Sequence, residues 1–145
     1  MNSALITTTA DFLDLSYRTD IGVLTVRWLR SVTLAELQAG FQQVRQHSLA
    51  HSATHWLVDV RRRTELEASS SGWVVRELLP AAAQDAAPAT LYIAYLLAPT
   101  REALLRTDSG MRATTIAAES PTQPYRLRTF MQEGLAMQWL LNQSA

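Results

Sequence analysis

The sequence predicts an α/β domain with a single mixed sheet of roughly four to five strands, an N-terminal β-hairpin and about four helices. Three observations carry this expectation. A segment of alternating polarity, residues 12–18, and a second strand-like segment, residues 23–29, flank the turn-forming Thr19-Asp20-Ile21-Gly22 and read as an antiparallel hairpin. Two short apolar runs, residues 54–61 and 90–97, are too continuous for half-exposed strands and suit central ones covered on both faces. Stretches with helical signals separate these runs, which demands crossover connections and a mainly parallel or mixed sheet.

Each element has a local reason. Residues 1–10 lack periodicity and are expected to be a loose tail. Thr33-Leu34-Ala35-Glu36 has the spacing of a capping box, so a helix should begin at Thr33. Leu34, Leu37, Phe41 and Val44 then form one apolar stripe, and the helix should end near Leu49 or Ala50. After the strand over 54–61, a loop is expected across Arg62 to Ala68. Ser69, Ser70 and Ser71 offer N-caps to a short helix that Pro80 should stop or kink, and residues 81–89 read as the connection to the next strand. Residues 101–106 suit a brief helix closed by the turn residues Asp108-Ser109-Gly110. Residues 112–118 are a weak strand candidate. A last helix over 125–142, with Leu127, Phe130, Met131, Leu135, Trp139 and Leu140 on one wide face, completes the chain.

Composition narrows the chemistry. A chain of 145 residues that is 48% hydrophobic and 18% charged fits one domain with one core. Net charge is zero, so nothing favours nucleic acid or an anionic membrane surface. The absence of cysteine removes disulfides, thiolate metal sites and a cysteine nucleophile. All 13 basic residues are arginine, which excludes a P-loop or Schiff-base lysine. The polar, threonine-rich start does not read as a secretory leader, and the longest apolar run is far too short to span a bilayer, so a cytoplasmic location is expected.

The stretch with most chemical content is His55-Trp56-Leu57-Val58-Asp59-Val60-Arg61-Arg62-Arg63, where a buried strand ends in an acid and three arginines. In open α/β sheets such carboxyl ends meet ligands. His55, Leu57, Asp59 and Arg61 share one face, while Trp56, Val58 and Val60 share the other. Asp59 reads first as a structural acid that accepts loop N–H groups or pairs with Arg61. The functional alternative has Asp59 orienting Arg61 or Arg62 toward an anion held at the helix start over Ser70, Ser71 and Gly72, and in an enzyme Arg61, Arg62 and Arg63 would together bind the substrate's charge. His47, His51 and His55 recur every four residues, but the strand break before His55 spoils metal geometry, so no metal is assigned. The four tryptophans read as core and interface mass, and no Gly-rich phosphate loop is present; no cofactor is implied.

The order of elements, with Asp59 closing the central strand and Ser69-Ser70-Ser71-Gly72 downstream, resembles the STAS or SpoIIAA-like (SEC14-like) domain family, which includes the bacterial anti-sigma-factor antagonists. That resemblance implies a regulatory module and makes Ser70 a possible phosphosite, with Ser69 standing where the family has aspartate. Plain N-capping serines are the alternative. The function expected is a non-enzymatic binding or regulatory module, acting on a protein partner or small ligand and forming a homodimer through the last helix. Two other readings stand beside it: a small enzyme acting on an anionic metabolite, with Asp59 or His55 as base, and an apolar-ligand or lipid binder. A pocket of about several hundred cubic ångströms would favour a ligand binder.

Overall fold

The computed structural model describes residues 4–63 and 68–143. Among them, six strands form one sheet in sequential order: β1 (Ala4–Ala10), β2 (Leu13–Arg18), β3 (Val23–Trp28), β4 (His55–Asp59), β5 (Leu91–Leu96) and β6 (Tyr125–Phe130). β1, β2 and β3 pair antiparallel, and β3 through β6 pair parallel. The helices are α1 (Leu34–Ala50), α2 (Ala68–Trp73), α3 (Leu79–Ala86), α4 (Pro99–Thr107), α5 (Ser109–Ala118) and α6 (Glu133–Leu141), with a π-helical turn over Val74–Leu78 joining α2 to α3. The α/β architecture with its mixed sheet and N-terminal antiparallel strands is as the sequence predicts. The sheet is wider than expected, because residues 4–10 are not a loose tail but an edge strand paired to β2.

Local chemistry accounts for the elements that were read correctly. Gly22 takes φ +69 in the turn between β2 and β3, a conformation that costs glycine little. At α1, the Glu36 N–H donates to Thr33 Oγ1 at 3.1 Å and the Thr33 N–H donates to Glu36 Oε1 at 3.0 Å, which completes the capping box. The α1 stripe buries Leu37, Phe41, Val44 and Ser48. Gly40 sits on the same face because a Cβ there would lie 2.6 Å from Trp28 Cη2. Ser48 accepts the Trp56 indole N–H at 2.9 Å, which satisfies a buried donor.

Four expectations are corrected. Ser69, Ser70 and Ser71 lie inside α2 and not ahead of it, since the helix already begins at Ala68; residues 64–67 of the expected loop lie outside the described residues. Pro80 does not end the helix. The wider π turn just before it, with the Leu79 N–H donating to Val74 O, accommodates a residue that lacks an N–H, and α3 continues to Ala86. Residues 112–118 are helix α5, because the Asp108 carboxylate accepts the Met111 N–H at 2.9 Å and caps a new helix where a closing turn was expected. Residues 125–130 are strand β6, with the helix starting only at Glu133; Tyr125-Arg126-Leu127-Arg128-Thr129-Phe130 has a strand's period of two, and β5 offers it a parallel partner.

Each parallel crossover moves the chain one place along the sheet in the same direction, so crossovers of one hand fall on one face. Leu37, Phe41 and Val44 of α1, Val74 and Leu78 of the π turn, and Leu79 and Ala82 of α3 pack there against Leu15, Val26, Trp56, Val58 and Ile93. Among the described residues α6 alone covers the other face, where Ala136 and Leu140 meet Val23, Leu57, Ala94 and Leu96. The carboxyl ends of β4, β5 and β6 therefore open between two differently built layers.

Candidate functional site

On the α6 side, four charged groups close around the end of β4. Arg27 Nη1 donates to Asp59 Oδ2 at 2.8 Å and to Glu133 Oε1 at 3.0 Å, while its Nη2 donates to Glu133 Oε2 at 3.1 Å. Arg61 donates from Nε and from its backbone N–H to Asp59 Oδ1, each at 3.0 Å, and from Nη2 to Asp59 Oδ2 at 2.9 Å. Asp59 is buried, at 7% exposure. Burial alone would raise its pKa, but the Arg61 side chain, the Arg61 N–H and Arg27 together hold it below the usual carboxylate value. Two cations face two anions here, so the cluster has no surplus charge with which to recruit an anion. Arg27 and Glu133 escaped the sequence reading. The signal for Arg27 is its place on the Asp59 face of β3, in register with Asp59.

Across the sheet, the same ends of β4, β5 and β6 border a cavity of about 80 Å³. Its apolar walls come from Leu37 of α1, Val74 of the π turn, Leu79 of α3, Leu97 just beyond β5, Met111 of α5 and Leu127 of β6. Ser70, Ser71, Tyr95, Thr115 and Thr129 supply hydroxyl groups, and Arg63 and Arg101 supply guanidiniums. An adjoining groove between α4 and α5, lined by Glu102, Arg106, Arg112, Ile116 and Glu119, shares Leu105, Thr115 and Thr129 with the cavity.

Arg101 is the distinctive group. It stands in the first turn of α4, where a helix dipole disfavours a cation, and it is only 8% exposed. Its Nη1 donates to the Arg63 carbonyl oxygen at 3.3 Å, and among the described residues no carboxylate pairs with it. Burial, with the nearby Arg63 charge, lowers its pKa to about 10, so it remains a cation at neutral pH. Burial pushes the Tyr95 phenol up to about 12 against the pull of Arg63 and Arg101, so Tyr95 is a neutral hydrogen-bond donor at their side.

The candidates named from the sequence are thus divided. Asp59 and Arg61 join the closed cluster, whereas Arg63, Ser70 and Ser71 line the cavity on the opposite side of the sheet. Arg62 is exposed, and Gly72 is buried within α2. Ser70 is 4% exposed. His47, His51 and His55 do not converge: His51 stacks on Tyr17 at 4.3 Å between ring centroids, and His55 bonds Thr54 Oγ1 and the Gln143 carbonyl oxygen. Arg101 and Tyr95 went unread, although Arg101 follows closely on the carboxyl end of β5, where ligand groups gather in such sheets. Among the described residues no helix is long and apolar enough to cross a membrane.

The chain matches no protein-family model, none of the curated proteins and no solved structure. What the site can do therefore follows from its own residues.

Proposed function

We propose that this chain is a non-enzymatic binding module of STAS or SpoIIAA-like architecture that takes a small anionic ligand in the cavity at the carboxyl ends of β4 to β6. The observation that carries this reading is Arg101, a buried guanidinium with no acidic partner among the described residues, at the wall of an otherwise mostly apolar cavity. A buried unpaired charge is costly, and a ligand anion supplies the missing partner. A volume of about 80 Å³ falls short of the several hundred cubic ångströms expected of a drug-sized or lipid pocket, so the cavity limits any occupant to a small molecule. Phosphorylation of Ser70 is the less supported route to regulation, because a side chain at 4% exposure must first be uncovered for a kinase.

A homodimer belongs to the same reading. Met131 and Leu135 stay about half exposed near the start of α6, while Trp139 is spent on Tyr92 and Phe130, so the contact is expected at the beginning of that helix. Native mass spectrometry of the freshly purified chain tests the ligand reading. A small retained mass that is lost in Arg101→Gln supports it; a retained mass indifferent to Arg101→Gln counts against it.

A further inference from the structure

We infer that the ligand is a short-chain monocarboxylate, its carboxylate on Arg101 and its hydrocarbon portion among Leu79, Leu97, Met111 and Leu127. This rests on the anion-binding reading above and narrows it to one chemical class. Three features select the class. The first is charge. Arg101 contributes one cation without an acidic partner among the described residues, beside Arg63, which is stacked 5.8 Å above the Trp28 ring and has interactions of its own; a single ligand charge balances Arg101. The second is donor geometry. Arg101 spends Nη1 on the Arg63 carbonyl, and the planar fork of a guanidinium takes two oxygens of one small anion, a carboxylate or a phosphate alike. Tyr95 adds a neutral donor from the sheet beside it.

The third feature is the body of the cavity. Its walls are mostly apolar, with the Ser70, Ser71, Thr115 and Thr129 hydroxyls set among them, so a largely hydrocarbon body fits better than a sugar-like one, whose hydroxyls would outnumber the partners there. Since one water needs about 10 to 15 Å³ of such space, the 80 Å³ here holds on the order of five to eight heavy atoms. That is the size of a three- to six-carbon carboxylic acid and well short of a long-chain fatty acid.

Isothermal titration calorimetry with sodium pentanoate, 1-pentanol, pentyl phosphate and inorganic phosphate separates the alternatives. Pentanoate should bind saturably and at one site per chain, at least tenfold more weakly in Arg101→Gln, with no measurable heat from pentanol or inorganic phosphate. Ala118→Leu, which fills the cavity and keeps Arg101, should also abolish pentanoate binding and serves if Arg101→Gln does not fold. Binding of either phosphate as tightly as pentanoate, and dependent on Arg101, would overturn the carboxylate assignment and leave the anion-binding reading intact. Silence from all four probes with a folded parent protein would overturn both.

Discussion

Arg61 grips Asp59 from two residues downstream, placing its Nε and its own backbone N–H on Oδ1 and its Nη2 on Oδ2, all within 3.0 Å. The acid therefore anchors the turn by which β4 leaves the sheet. Removing it strands Arg27, Arg61 and an amide at a half-buried position, so Asp59→Ala should destabilise the fold by about 1 to 3 kcal/mol. Urea unfolding measures this, and pentanoate binding should be unchanged because the cavity lies across the sheet. Since the folded-state pKa is below the ordinary value of 3.8, this contribution is full above that value and is lost as acid carries the pH down through the folded-state value. Unfolding free energy that is flat from pH 6 to pH 2.5 would contradict this role.

The cap of α1 should be measurable by itself. Thr33→Ala removes the acceptor for the Glu36 N–H and is expected to cost about 1 kcal/mol in chemical unfolding. Arg30, more than the Thr33 N–H, holds the Glu36 carboxyl down to about 2. Its support is thus present above the ordinary carboxylate value of 4.5 and fades as pH falls from there toward 2. Glu36→Gln should flatten that part of the acid profile.

Stability and binding should oppose one another at Arg101. Its pKa of about 10 lies below the ordinary 12.5, so the folded state disfavours the charged form, and the full penalty is present at any pH below 10. Arg101→Leu should raise the stability of the ligand-free protein by about 1 kcal/mol while abolishing anion binding. A large loss of stability would mean that the guanidinium is structural.

Tyr125 offers a control without functional content. Its side chain is fully buried, and its hydroxyl has no hydrogen-bond partner among the described residues. Tyr125→Phe removes an unsatisfied polar atom and keeps the ring, so the urea midpoint should hold or rise, by up to about 1 kcal/mol in stability. A fall of that size would reveal a partner for the hydroxyl.

Sedimentation equilibrium tests the dimer. The wild-type chain should exceed the 16.2 kDa of one copy at high micromolar concentration, and Met131→Glu with Leu135→Glu should return it to that mass. A wild-type chain that stays at the single-copy mass removes the proposal.

Short-range chemistry was legible from the sequence. The Thr33–Glu36 box, the turn at Gly22, the buried runs of β4 and β5 and the pairing of Asp59 with Arg61 each depend on residues a few positions apart, whose propensities and hydrogen bonds act within one turn or strand. Tertiary structure decided what those windows leave open. Residues 125–130 carry both a helical stripe and a strand alternation, and the free edge of β5 settles the choice by pairing Ala94 with Arg128 and Leu96 with Phe130. The cavity exists for a similar reason. Ser70, Tyr95, Arg101 and Leu127 are remote in the chain and meet only because successive parallel crossovers bring their strand ends to one edge, and the burial that makes Arg101 distinctive is a property of that assembled edge and of no local segment.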